Sequence, residues 1–231
     1  MLQAIFHGHS FVEIVTQDNQ SILIDPFLTD NPKCDISLDN LKDKKVIAIL
    51  VTHGHEDHIG DTIELAQHHQ CEVVTVYGVA KYFHAQGVDK AIGCGIGWTH
   101  KTDIFSAKFV NAIHDGGISD TGLSTRPAGI VLTIWNHKIY HAWDTALTKD
   151  FELLENLSLD LAFLPIGWHY TMDADDAVIA SKMIKSKIVV PIHYNTRPKI
   201  KADDMEFARQ VMLHKYAVPK VLKPGQWVVL E

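Results

Sequence analysis

The amino-acid sequence predicts a four-layer αββα sandwich, an α/β fold in which two β-sheets pack together with helices outside. Both halves of the chain are rich in strand-like runs, and helical segments lie between these runs. The chain has 231 residues, of which 46% are hydrophobic, and this is enough for a substantial core. No linker or low-complexity segment interrupts the sequence, so residues 1–231 are expected to form a single domain.

The first half of the chain alternates strands with helices. A strand buried on both faces is expected at 46–52, because the run is apolar up to Thr52. Helices are predicted over 62–69, with Asp61 as the N-cap, and over 79–86, closed by Gly87. Further strands are predicted at 5–6, 11–16, 21–24 and 72–77.

The second half repeats this pattern. Asn136 and His137 form the predicted hairpin turn between two of its strands. The run 173–185 has apolar residues at helical spacing behind an acidic cap. Strands are predicted at 104–113, 129–135, 139–143, 159–164, 188–192 and 227–230, and helices at 149–157, 173–185 and 202–214.

Charge, hydrophobic runs and cysteine content limit which binding partners and which cellular location are expected. The net charge is −7 and no basic run exceeds Lys44 and Lys45, so no nucleic-acid partner is expected. No apolar run is long enough to cross a membrane, and the start of the chain does not read as a signal peptide. Three cysteines without metal-binding spacing indicate a reducing compartment, and the cytoplasm is the expected location. A homo-oligomer is compatible with the sequence, which leaves the oligomeric state open.

A histidine-rich run follows the strand predicted at 46–52. Within six residues it offers three imidazoles and two carboxylates, from His53, His55, Glu56, Asp57 and His58. Imidazole and carboxylate groups suit zinc, manganese, iron or nickel. An exposed polar loop or a single structural metal site is the alternative, but structural zinc sites usually use cysteine and none lies nearby. The run therefore predicts a metal site at the end of a strand.

The spacing His53-x-His55-x-Asp57-His58 after a buried strand resembles the HxHxDH motif of the metallo-β-lactamase superfamily. The other metal ligands of that family are matched in order, each after a strand, by His114, Asp144 and His193. The resemblance implies that His53, His55 and His114 hold one metal. It implies that Asp57, His58 and His193 hold a second metal and that Asp144 bridges the two.

A narrower resemblance covers the chain from His7 to about Thr196. Runs 7–11, 24–26 and 191–196 are similar to a compact branch of metal-dependent hydrolases of largely unassigned substrate, itself similar to the L-ascorbate-6-phosphate lactonases. The loop from Gly167 to Asp173 departs from the pattern of these relatives. The substrate pocket, rather than the metal site, is therefore expected to differ from theirs.

These resemblances imply a hydrolase with two divalent metal ions. Zinc is the expected metal, with manganese, iron and nickel as alternatives. A metal-bridged water or hydroxide would cleave an ester, lactone or phosphodiester of a small molecule. Asp57, His9 and Asn195 are the candidate catalytic residues: Asp57 would orient the water or accept its proton, His9 would line the pocket, and Asn195 would donate to an oxyanion. Asp25 is expected either to orient a ligand imidazole, that of His55 or His58, or to serve only in a turn at the strand end.

Two other classes of function remain open. A di-iron oxidoreductase uses the same fold, although His55 stands where flavodiiron relatives carry glutamate and no flavin-binding domain is attached. A non-catalytic metal-binding protein would keep the ligands without turnover. Metal analysis and turnover measurements distinguish these classes from a hydrolase.

Overall fold

The computed structural model describes residues 1–119 and 121–231, and the chain divides into two compact units. Unit 1 comprises Met1–Gly95, Asp115–Pro127 and Lys223–Glu231, and unit 2 comprises Ile96–His114 and Ala128–Leu222. Each unit is built on one seven-stranded sheet. The single domain expected from the sequence stays a prediction.

Unit 1 contains a mixed sheet in the order β14-β1-β2-β3-β4-β5-β6. The pairings from β14 to β3 are antiparallel and those from β3 to β6 are parallel. As a result β1, β3 and β4 run in the same direction, and their carboxyl ends meet at one edge of the sheet. The strands are β1 Leu2–Phe6, β2 Val12–Val15, β3 Gln20–Ile24, β4 Lys45–Val51, β5 Glu72–Val76, β6 Ala91–Cys94 and β14 Trp227–Leu230.

Four helices lie in the described residues of unit 1, and the longer two pack on its parallel strands. The helices are α1 Leu38–Lys42, α2 Glu56–Ile59, α3 Thr62–His69 and α4 Tyr77–Ala85. Helix α3 contacts β4 and β5 through Leu65 and Ala66, while α4 contacts β5 and β6 and buries Val79 and Phe83. These apolar faces and the buried residues of β4 form the core on that side of the sheet.

Unit 2 contains a second mixed sheet in the order β13-β12-β11-β10-β9-β8-β7. The pairings from β13 to β10 are parallel and those from β10 to β7 are antiparallel. Strands β8, β10, β11 and β12 therefore run in one direction and end at one edge. The strands are β7 Thr99–Lys101, β8 Phe105–Asn111, β9 Ala128–Ile134, β10 His137–His141, β11 Leu161–Pro165, β12 Ile188–Ile192 and β13 Val218–Pro219.

The core of unit 2 lies between this sheet and its helices. The helices are α5 Ala174–Ile184, α6 Asp204–His214, and the 3-10 helices Lys149–Leu157 and Pro198–Ile200. Tyr140 and Leu164 from the sheet pack in one cluster with Phe151, Ile184 and Phe207 from the helices. Asp173 caps α5 through a hydrogen bond from the Asp176 amide to its Oδ1, 2.8 Å, as its acidic start predicts.

Most predicted elements are present, and four details differ. The hairpin turn lies at Trp135 and Asn136, one residue earlier than predicted, because β10 already begins at His137. The run Lys149–Leu157 is a 3-10 helix. Asp61 occupies the N-cap position of α3, yet its carboxylate accepts from the Leu28 and Thr29 amides, at 2.8 Å and 3.0 Å, and caps no helical amide. The sequence did not predict the short elements α1, α2, β6, β7, β13 and Pro198–Ile200.

Two further predictions concern cysteines and membranes. Cys34, Cys71 and Cys94 are free thiols, and burial raises the pKa of each to about 11. None of the helices in the described residues is both long and apolar enough to cross a membrane.

Candidate metal centre

The histidine-rich run of unit 1 folds into a tight turn at the carboxyl end of β4. His53 is fully buried, and its ring centroid lies 4.3 Å from that of His55 and 4.2 Å from that of His58. Helix α2 begins directly after His55 and carries Asp57 and His58 on its single turn. The short helix thus turns the chain back, so that residues adjacent in sequence present several nitrogen and oxygen donors to one small volume.

Asp25 orients one of these imidazoles. It follows β3 with a φ of 49°, in the left-handed region that few non-glycine residues adopt. Its carboxylate accepts from the Thr52 amide at 2.9 Å, from Thr52 Oγ1 at 2.7 Å and from His58 Nδ1 at 2.8 Å. Because a carboxylate accepts this hydrogen bond, His58 carries its proton on Nδ1, and Nε2 is the nitrogen that would bind a metal. The predicted carboxylate–imidazole contact is confirmed, with His58 as the partner.

His9 lies beside Asp57, after the carboxyl end of β1. Its Nε2 is 3.1 Å from Asp57 Oδ2, and its ring meets the edge of Phe27 at a centroid distance of 5.6 Å. Ligand atoms of His9, Asp57 and His58 all lie within 4.8 Å of one another. His9 is therefore in contact with a candidate ligand, while its expected role in lining a pocket stays a prediction.

His7, two residues earlier, belongs to a separate buried ion network. Its Nδ1 is 2.8 Å from Asp35 and its Nε2 is 3.0 Å from Glu13, which also accepts from Lys44 at 2.6 Å and Ser21 at 2.6 Å. Burial alone would lower the pKa of His7, but the hydrogen bonds to Asp35 and Glu13 outweigh it and raise that pKa. Burial would raise the pKa of Glu13, and its hydrogen bonds instead lower it to about 2.

The candidate ligands of unit 2 come from three different strands. His114 follows β8, Asp144 follows β10, and His193 comes directly after β12. Asp144 Oδ2 lies 3.1 Å from His193 Nε2 and 3.6 Å from His114 Nε2, so the carboxylate stands between the two imidazoles. The shared direction of the three strands explains why residues so far apart in sequence converge.

The backbone around these ligands is held in unusual conformations. Trp143 and His193 have φ values of 65° and 54°, in the left-handed region. Gly167, in the loop after β11, packs so closely that a Cβ atom there would lie 2.2 Å from the His193 carbonyl oxygen. The divergent loop predicted to concern substrate therefore begins in contact with a candidate metal ligand.

The rest of that loop presents aromatic side chains to solvent. Trp168 and Tyr170 are 55% and 50% exposed, and the His169 ring lies edge-on to both. The Trp168 amide donates to the Met172 carbonyl at 3.0 Å, which closes the loop on itself. Large exposed rings of this kind can pack on a flat or apolar part of another molecule.

The Asn195 side chain is hydrogen-bonded to the backbone of Ala202, seven residues later in the chain. Its Nδ2 donates to the Ala202 carbonyl at 3.0 Å, and its Oδ1 accepts from the Ala202 amide at 3.1 Å. One of the two Nδ2 hydrogens is committed to Ala202, so the predicted oxyanion role rests on the other.

The donor chemistry of both units fits a divalent transition metal. Every candidate ligand is an imidazole or a carboxylate, most are buried, and each carboxylate lies beside an imidazole of its own unit. These are the ligand types that zinc, manganese, iron and nickel accept, and the Asp25–His58 contact is the outer hydrogen bond such ligands usually have.

Comparison with known proteins gives consistent results. Residues 20–194 match the family model described as the beta-lactamase superfamily domain. A UPF0173 metal-dependent hydrolase of Bacillus cereus (strain ATCC 10987 / NRS 248) is 42% identical over 235 residues, covering 99% of this chain and 100% of the relative.

Two solved structures show the same architecture. Igni18, a metallo hydrolase from the hyperthermophilic archaeon Ignicoccus hospitalis, aligns with a TM-score of 0.90 and 33% identity, covering 100% of this chain and 98% of that one. The metallo-beta-lactamase fold protein YhfI from Bacillus subtilis aligns with a TM-score of 0.76 and 14% identity, covering 98% of both chains. These similarities confirm the αββα fold class predicted from the sequence.

Proposed function

The chain belongs to the metallo-β-lactamase superfamily and is a metal-dependent hydrolase, and from this premise we propose that it uses two metal ions to cleave an ester, lactone or phosphodiester of a small molecule. The observation that carries the proposal is the pair of donor groups, one in each unit. Unit 1 offers His53, His55, Asp57 and His58, and unit 2 offers His114, Asp144 and His193.

The proposed division of ligands follows the order of the family's motif. His53, His55 and His114 would hold one metal, Asp57, His58 and His193 the other, and Asp144 would bridge them. Zinc is the metal we propose, with manganese, iron and nickel as alternatives. Two such ions, when bound, supply Lewis acidity and an activated water near neutral pH.

In this proposal, side chains of the protein orient the reacting groups and transfer the protons. Asp57 accepts or orients a proton of the attacking water, and the contact from His9 Nε2, 3.1 Å away, fixes which way its carboxylate faces. Asp25 holds the His58 ring through Nδ1, 2.8 Å away. Asn195 donates its second Nδ2 hydrogen to the oxygen on which negative charge develops.

Substrate selection is assigned to the loop from Gly167 to Asp173. Its first residue packs on His193, and Trp168 and Tyr170 extend into solvent from there. Exposed aromatic rings can stack on a flat or apolar part of a small substrate. The net charge of −7 disfavours a nucleic-acid substrate, and three free thiols, two of them buried, are compatible with a reducing compartment such as the cytoplasm.

The test combines metal analysis with a substrate panel on the full chain. The purified protein is expected to hold two metal ions per chain and to turn over at least one member of a panel of esters, lactones and phosphodiesters. His58→Ala and His193→Ala should each reduce the metal content and abolish turnover. His84→Ala, an exposed histidine on α4, is the matched control and should change neither.

Other outcomes would replace the proposal. Iron content with oxygen consumption and no hydrolysis would identify an oxidoreductase. Full metal loading without turnover across the panel, unchanged by Asp57→Ala, would identify a metal-binding protein.

A further inference from the structure

The segment Asp115–Pro127 of unit 1 contains a buried isoleucine. Ile118 is 6% exposed, and among the described residues of 115–126 it is the one large side chain that is buried. The Ile118 amide donates to the Leu123 carbonyl at 2.9 Å, and the Ile118 carbonyl accepts from Thr121 Oγ1 at 2.8 Å. These hydrogen bonds fold the segment back on itself around Ile118.

The Ile118 side chain packs on Gly54, the residue between His53 and His55. A Cβ atom at Gly54 would overlap Ile118 Cγ1 and would lie 3.1 Å from the Gly117 carbonyl oxygen. The backbone of Gly54 is not in the left-handed region, so glycine is required here for space and not for its conformation. The turn between two candidate ligands therefore has no side chain of its own and takes its packing from Ile118.

Thr125 attaches the other end of the segment to unit 1. A Cβ atom at Gly78, in the first turn of α4, would lie 2.6 Å from Thr125 Cγ2, and one at Gly116 would overlap the Thr125 carbonyl oxygen. The Thr125 amide also donates to the Gly116 carbonyl at 3.3 Å. The segment is thus packed on unit 1 at two points, the turn after His53 and the start of α4.

We propose that Ile118 is a positioning residue for His53 and His55. By filling the space over Gly54, it fixes the backbone between the two imidazoles in the conformation in which both face one metal ion. The inference rests on the proposed function, in which His53 and His55 hold one metal together with His114. Ile118 follows His114 by four residues, so a short stretch of chain connects the third proposed ligand to the residue that packs between the other two.

The test is a double-variant cycle on the full chain, with zinc affinity measured in competition with a chelator. Gly54→Ala places a methyl group where Ile118 Cγ1 lies, and Ile118→Ala removes that atom and leaves the turn without its packing. Each single variant should weaken the binding of one of two zinc ions by about tenfold or more. The double variant should bind that ion more tightly than Gly54→Ala does, because the new methyl group enters the space that the isoleucine leaves.

Two further variants separate positioning from general packing. Ile118→Val keeps both γ carbons over Gly54 and should bind zinc nearly as the wild type does. Leu123→Ala truncates the 45% exposed residue that bridges to Ile118, and this matched control should leave zinc affinity unchanged.

A second readout needs no metal. In the metal-free protein, the NMR ring resonances of His53 and His55 should shift in Gly54→Ala and in Ile118→Ala. The ring resonances of the exposed His84 on α4 should stay in place in both variants.

Three results would overturn the proposal. The first is wild-type zinc affinity in both single variants, and the second is a double variant that binds zinc no better than Gly54→Ala. The third is a lower melting temperature with unchanged zinc affinity and unchanged ring resonances, which would show that Ile118 only stabilises the fold. If the wild type binds no zinc, the proposed function fails, whereas shifted His53 and His55 resonances in the single variants would still support the positioning role.

Discussion

The two units have the same kind of sheet and supply their candidate ligands in different ways. Each sheet has seven strands with three antiparallel and three parallel pairings. In unit 1 the ligands lie within six consecutive residues, 53–58, in one turn after β4. In unit 2 they are 30 and 49 residues apart in sequence, and each follows a different strand.

The candidate ligands are thus positioned by local chain structure in unit 1 and by the order and direction of the strands in unit 2. In unit 1 the short helix α2 arranges the donors, and the residues around it only orient them, as Asp25 does for His58. In unit 2 nothing local brings His114, Asp144 and His193 together, and the common direction of β8, β10 and β12 does so. Changes to the supporting residues should therefore act differently in the two units.

The largest effect on stability is expected in unit 1 for Glu13→Gln. Glu13 is fully buried and accepts hydrogen bonds from His7, Ser21 and Lys44, so removing its charge leaves the partly exposed Lys44 without this carboxylate and leaves His7 with Asp35 alone. Breaking a buried ion pair costs about 3–5 kcal/mol, which chemical denaturation measures directly. Glu155→Gln removes an exposed ion pair with Lys185 and should change stability by less than about 1 kcal/mol. Equal effects of the two variants would mean that the buried network contributes little.

Asn195→Ala tests the catalytic assignment in unit 2. Loss of an oxyanion donor lowers kcat by about 10²–10³-fold, whereas loss of the two hydrogen bonds to Ala202 alone lowers stability by about 1 kcal/mol. We expect both effects, with KM changed less than kcat. A variant with a lower melting temperature and the wild-type kcat would show that Asn195 only stabilises the loop through its hydrogen bonds to Ala202.

Acid should selectively weaken the unit 1 network. The pKa of Glu13 is about 2 in the folded protein against an ordinary value of 4.5, so its contribution is fully present above pH 4.5 and is lost as the pH falls toward 2. The contribution at neutral pH is about 3 kcal/mol. The difference in unfolding free energy between the wild type and Glu13→Gln, measured without metal, should shrink over this range. A constant difference would contradict the assignment.

The same contrast explains what the sequence could predict. The turn at 53–58 was visible because its donors are consecutive, and His114, Asp144 and His193 were found only through the family's order of ligands. The contact of His9 with Asp57 could not be predicted, because it depends on β1 and β4 ending at one edge of the sheet. The cap expected from Asp61 failed because its carboxylate binds the Leu28 and Thr29 amides, which are distant in sequence.

Asp25→Asn should affect metal affinity in unit 1 more than it affects folding. An asparagine keeps the volume but replaces one acceptor oxygen with an NH₂ group, so it cannot accept from both the Thr52 amide and His58 Nδ1, which bind different oxygens of the carboxylate. Loss of such an outer hydrogen bond lowers metal affinity by about 10–100-fold, as competition with a chelator measures. Asp160→Asn, which disturbs the contact with Lys187 in unit 2, is the control and should leave metal affinity unchanged. Similar affinities for all three proteins would exclude an orienting role for Asp25.

Gly167→Ala probes the topological arrangement of unit 2. The new methyl group would lie 2.2 Å from the His193 carbonyl oxygen, a backbone atom that can move only if the end of β12 moves with it. We expect a loss of about 1–3 kcal/mol in stability, and also weaker metal binding, because His193 shifts relative to Asp144. Gly95→Ala, where a Cβ atom would meet nothing within 4 Å, is the matched control and should be neutral. Unchanged metal binding in Gly167→Ala would show that the close packing of Gly167 does not position His193, and that β12 and its register with β11 do so alone.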